Sequence, residues 1–224
     1  MTDKDLKTMT DKDLKQHVQS ALEWEPSVDA KDIGFSVDGA VVTLRGNVGS
    51  YMEKLAAERA VLRVYGVKAL ANDLVVHLVS AFERTDTEIA LAAVAALTWN
   101  MTVPSERVTI TVKGGQLTLH GTLDWQYQKD AATRAVRDFT GVIGVVNNII
   151  VKPRVKTTDV QDKIEAAFKR SAEIDARRVS VTAHDGKVTL SGNVHSWAER
   201  QEAERAAWAA PGVTQVDDRL AIVP

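Results

Sequence analysis

Cysteine is absent from this 224-residue chain. Its absence excludes disulfide staples, thiolate metal sites and cysteine nucleophiles. Aromatic residues are scarce, at 5%. No apolar run approaches the roughly 18 residues that mark a membrane-crossing helix, so no transmembrane span is expected. The N-terminus reads MTDKDLK and then MTDKDLK again from Met9. It lacks the apolar stretch of a secretory signal. The chain as written is therefore expected to be cytoplasmic, or periplasmic if a signal has been removed. An excess of either charge is also missing, with a formal net charge of −2. No segment carries the basic field of a nucleic-acid binder, so nucleic acid is not an expected partner.

What is present is one pattern of roughly 65 residues, written three times. The segments VVTLRGNV (41–48), QLTLHGTL (116–123) and KVTLSGNV (187–194) align on Gly46, Gly121 and Gly192. Offsets of 75 and then 71 residues hold from end to end without a gap. They also superpose Gly66 on Gly141 and Gly212, each followed by valine. A period this long is a complete small domain. The expected domains are 11–78, 85–152 and 157–224.

Each unit opens with an apolar stripe at four-residue spacing, Leu14, Val18 and Leu22 in the first, which predicts a helix. Thr85 or Asp86 is suited to cap the second unit's helix, and Thr157, Thr158 or Asp159 the third's. Pro26 and Pro104 fall beyond the helix ends. A hairpin follows: Ile33, Phe35 and Val37 alternate with polar residues, and the return strand alternates through Val42 and Leu44. Its turns are read as Asp38-Gly39, Gly114-Gly115 and Asp185-Gly186, dipeptides that supply positive φ. Glycine inside the return strand predicts a bulge or a close backbone approach, placed beneath the following helix. A second helix from about Ser50 to Tyr65 has a small inward face at Ala57 and Ala60. Its equivalents are Ala132 and Ala135, then Ala203 and Ala206. Gly66, Gly141 and Gly212 are expected as its left-handed caps. A last strand carries Asn72, Asn147 or Asp218. The order helix, strand, strand, helix, strand predicts an α+β fold, with two helices packed on one face of a three-stranded mixed sheet in each of three tandem domains.

These motifs resemble the BON domain, named for bacterial osmotic-stress and nodulation proteins. The resemblance rests on the strand glycines, the helix-two alanines and the closing Gly-Val pairs, and it covers nearly the whole chain. Asp218, where the other units have asparagine, and Ala210 depart from it. The resemblance implies a part in osmotic or other stress and in envelope maintenance, with binding of phospholipid surfaces. For some relatives it implies small ligands, including potassium ions. It implies no shared catalytic residues, and no cofactor is expected.

The residues themselves agree with a non-enzymatic reading. His17, His77, His120, His184 and His195 form no metal-binding pair, and none recurs across the units. Ser191 precedes Gly192 in LSGNV, which lacks the Gly-x-Ser-x-Gly elbow. Asp29, Asp32 and Asp38 lack the spacing of a calcium loop. Trp24 and Trp99 match one another at the end of the first helix, where the third unit has Arg170. Tyr51, Trp125, Tyr127 and Trp197 cluster where the return strand enters the second helix. Such residues suit both interdomain packing and membrane interfaces. Trp24 and Trp99, with Arg170, Arg177 and Arg178 as holders of an anionic head group, are the candidate lipid-binding residues. Anionic phospholipid or a protein partner is the expected ligand. The alternatives are a small-ligand or cation sensor and a structural protein that associates with itself through a sheet edge.

Overall fold

The computed structural model describes residues 10–152, 160–171 and 174–223. The first copy of the N-terminal heptapeptide, Met1–Lys7, and the expected caps at Thr157, Thr158 and Asp159 lie outside the described residues, whereas the second copy supplies the start of the first helix from Thr10.

The first unit runs α1 (Asp11–Trp24), β1 (Ile33–Asp38), β2 (Val41–Val48), α2 (Tyr51–Leu62) and β3 (Ala69–Val76). The second repeats it as α3 (Asp86–Trp99), β4 (Val108–Lys113), β5 (Gln116–Leu123), α4 (Gln126–Val136) and β6 (Gly144–Val151). The third follows as α5 (Val160–Arg170), β7 (Val179–His184), β8 (Lys187–Val194), α6 (Trp197–Ala209) and β9 (Gln215–Ile222). In each sheet the hairpin is antiparallel and its return strand is central, pairing in parallel with the closing strand. The parallel pair requires a crossover, which the second helix provides. Each unit has its own core: Leu14, Val18 and Leu22 of α1 meet Val42 and Leu44 of β2 over Ala57 and Ala60 of α2. The alanines bring α2 close to the sheet, because they present no side chain beyond Cβ.

Caps fix where the first helices begin. Thr85 accepts a hydrogen bond from the Glu88 backbone, and the Glu88 carboxylate accepts from the Thr85 N–H at 2.8 Å. Thr10 and Asp13 form the same box on α1. One residue later, Asp86 grips the hairpin turn, accepting from Gly114 N–H at 2.8 Å and Gly115 N–H at 2.9 Å. Asp11 does the same for Gly39 and Ala40.

That grip corrects the first hairpin. Its turn is Gly39-Ala40, not Asp38-Gly39, and Asp38 ends β1 opposite Val41. Ala40 adopts a φ of 65°. The register that sets Val37 opposite Val42 decides the matter, because a one-residue slip would turn Val42 out of the core. The strand glycines do mark a close backbone approach, but at the neighbouring strand rather than beneath the helix. A Cβ on Gly46 would lie 2.0 Å from the Asp32 carbonyl oxygen, just before β1, and one on Gly121 2.1 Å from that of Arg107. The second helices also end earlier than expected. Gly66, Gly141 and Gly212 stand third in a following turn, closed by bonds such as Val67 N–H to Val64 C=O at 3.3 Å. Their φ values of 91°, 95° and 94° meet the demand of a type II turn at that position, and Pro211 suits its second position in the last unit. This turn returns Val67, Val142 and Val213 to the cores.

The units touch head to tail. Tyr51, first in α2, packs against the core of the second unit. The start of α4 faces α6 of the third. Trp197, first in α6, packs against the core of the first as well as its own. The three contacts run the same way round and close a cycle, as heterologous contacts do in a ring.

Candidate functional site

Two places present groups that the fold does not consume. The first is the outer end of the first helices. Trp24 closes α1 and is 88% exposed, and Trp99 closes α3 and is 86% exposed. Two large rings thus stand in water at the same point of two units. Arg170, at the corresponding end of α5, is exposed too. Arg177 and Arg178 belong instead to the turn that opens β7. Arg177 is exposed, whereas the Arg178 guanidinium lies against the ring nitrogens of His195. At the positions that correspond in the second unit, Arg107 binds Asp124 through two bonds of 3.1 and 3.2 Å. Arg178 thus shares a bracing geometry with Arg107. The candidates of the sequence therefore divide into Trp24, Trp99 and Arg170 on one set of equivalent positions, and Arg177 and Arg178 on another.

The second place is the joint between α4 and α6. There a cleft of about 710 Å³ is lined by Trp125, Tyr127, Asp130, Arg134, Glu204 and Trp208, among others. The joint between the first two units, where Tyr51 inserts, leaves only about 300 Å³. The residue that corresponds to Tyr51 and Trp197 is Gln126, which is too short and polar to plug the gap. Gln126 instead donates to Asp130 at 2.9 Å. The Trp125 and Tyr127 rings stack, their centroids 6.2 Å apart. Partial burial pushes the Asp130 carboxyl above its usual range, against the hydrogen bond from Gln126 and the nearby charge of Arg134. Sequence reasoning noticed the aromatics and missed the cleft. The available signal was the run Tyr51, Gln126, Trp197 at the established offsets.

The network around Asp218 explains one further cleft group. Asn72 and Asn147 donate from β3 and β6 to the second helix, Asn72 to Glu58 at 3.0 Å and Asn147 to Thr133 at 2.7 Å. Asp218 cannot donate from its carboxylate. It accepts from Arg200 at 2.6 Å, which leaves Glu204, the counterpart of Glu58, without a hydrogen bond or ion pair among the described residues.

All five histidines are exposed. Among the described residues there is no cluster of three or more metal-capable side chains, and no helix is long and apolar enough to cross a membrane.

Residues 10–77, 85–153 and 156–224 each match the BON domain. The chain is 30% identical over 150 residues to the osmotically-inducible protein Y of Escherichia coli (strain K12), covering 64% of this chain and 74% of that protein. Two structures of CdsD, a structural protein of the type III secretion system of Chlamydia trachomatis, align with it at 14% identity. They cover 95% of this chain, and 98% and 93% of their own, with a TM-score of 0.27.

Proposed function

The chain belongs to the BON domain family, and we propose that it is a non-enzymatic, stress-associated binding protein that engages anionic phospholipid surfaces. The relationship to an osmotically inducible protein supports the link to stress. The observation that carries the lipid reading is the pair of exposed indoles, Trp24 and Trp99, at one equivalent position of two units. Indoles have an apolar body and a polar edge, and they settle at the level of lipid headgroups. Arg170 at the third equivalent position adds a charge of the sign an anionic headgroup attracts. Equivalent positions in a cyclic array lie at one level along its axis, so three weak contacts would reach a flat surface together and gain from effective concentration.

Flotation of the purified chain with phosphatidylcholine vesicles, with and without phosphatidylglycerol, tests this. Selective binding to the anionic vesicles that weakens with salt is expected. The double change Trp24→Ala and Trp99→Ala weakens it by about tenfold or more, the scale of removing one buried apolar side chain, with circular dichroism unchanged. Equal flotation of wild type and double variant removes the indoles from the interface, and no flotation on any vesicle removes the lipid reading altogether.

A further inference from the structure

Of the three joints in the ring, two receive an aromatic side chain, Tyr51 or Trp197, and the third receives Gln126 and stays open. The open cleft is not a featureless gap. Trp125, Tyr127 and Trp208 give it three aromatic walls, and Asp130 and Glu204 give it two carboxylates. Arg134 stands one helical turn after Asp130 and has no hydrogen bond or ion pair among the described residues. The other guanidinium, Arg205, is held by Glu202. The cleft thus brings aromatic rings and carboxylates together, and Arg134, close enough to act on Asp130 by charge, adds a guanidinium fork for a carboxylate.

We propose that this cleft binds a small free zwitterion that carries an alkylated ammonium group and a carboxylate. The ammonium group sits among the three rings, which attract cations through their faces, with Asp130 and Glu204 beside it. The ligand carboxylate meets Arg134, whose planar fork matches two oxygens. The cleft volume falls in the range of small-molecule sites. Two departures from the repeat make the site: glutamine at 126 leaves the joint unplugged, and aspartate at 218 turns to Arg200 and frees Glu204. The site is separate from Trp24 and Trp99, so this proposal and the lipid reading fail independently.

Calorimetric titration of the full chain with trimethylglycine and with carnitine, which differ in the spacing of their charges, tests the proposal. The control is tert-butylacetate, which has the shape of trimethylglycine without its positive charge. Saturable binding of at least one zwitterion is expected, with tert-butylacetate weaker by about tenfold or more. Trp208→Ala and Arg134→Gln each weaken binding. Gln126→Tyr, which copies the plugged joint at Tyr51, abolishes it while keeping a cooperative melt. Absence of saturable binding by both zwitterions overturns the proposal. So does equal affinity for tert-butylacetate, or unchanged affinity in Gln126→Tyr. Phosphatidylcholine vesicles form a separate arm: their capture by a chain that binds neither free zwitterion, lost in Trp208→Ala but kept when Trp24 and Trp99 are both alanine, would assign the cleft to a lipid headgroup, against the free ligand proposed.

Discussion

Tyr51 and Gln126 occupy the same position in successive units, the first residue of the second helix, yet only the tyrosine reaches the core of the next unit. Tyr51 and Phe139 line the same joint, and burial pushes the Tyr51 hydroxyl above the usual range despite a backbone hydrogen bond with Val145. Glutamine stops short and bonds within its own helix to Asp130. The joint that receives Tyr51 leaves about 300 Å³, and the joint that receives Gln126 leaves about 710 Å³.

Tyr51→Gln should convert the first joint into a copy of the second. The loss is about 2 kcal/mol, the lower end for removing a large packed side chain, and it falls on the coupling between the first two units. Differential scanning calorimetry should show one transition broaden or split. A single unchanged transition would mean that Tyr51 does not couple the units.

Gly121→Val brings a Cβ against the Arg107 carbonyl at a φ of 146°. Strain of this kind, added to overpacking, costs about 3 kcal/mol. Urea unfolding should show the second unit melting first, and a midpoint equal to wild type would contradict the close approach.

Glu199 is the one buried charged residue among those described, 6% exposed. Its two oxygens accept from Asp175 N–H at 3.0 Å and His195 N–H at 2.7 Å, tying the start of β7 to the start of α6. Glu53 makes the same bridge between Asp29 and Gly49. In the second unit the first donor position is Pro104, which has no N–H, and the acceptor there is Gln128, bonded to Asp124 and Trp125 alone. Glu199→Gln leaves one oxygen for two separated donors and should cost about 1–3 kcal/mol, the penalty of an unmet buried hydrogen bond. Chemical denaturation measures it, and a loss below about 0.5 kcal/mol, the floor for one net hydrogen bond, would mean that the bridge is dispensable.

Backbone bonds from Gly115 and Gly114 hold the Asp86 carboxyl below its usual range. The Thr85 cap likewise lowers Glu88. A carboxyl depressed in the folded state contributes stability above its unfolded pKa, about 3.9 for aspartate, and loses it as pH falls through the folded value. Asp86→Asn should therefore flatten the fall in stability below about pH 4. Urea midpoints at neutral and acid pH for both proteins would decide it, and parallel curves would remove Asp86 from the acid response.

Most of a single unit was legible in the sequence. The stripe of Leu14, Val18 and Leu22, the alternation around Val42 and Leu44, and the paired glycines are local signals, and each occurs three times. Local signals specify elements because helix and strand periods follow from backbone geometry alone. The exact turn at Gly39-Ala40 was harder to read, because Asp-Gly is a stronger local signal than Gly-Ala. Strand register and the Asp11 carboxylate overrule it.

The amino-acid sequence by itself thus determined the repeated unit, its order of elements and the equivalence of Trp24 and Trp99 at matching helix ends, while their exposure came from the structure. Only the tertiary structure decided what the strand glycines avoid, which aromatic rings plug a neighbour, and where a cleft is left. These depend on residues distant in the chain meeting at particular angles. Such contacts have no period, so Gln126 reads as an ordinary surface residue until Trp208 is seen across from it.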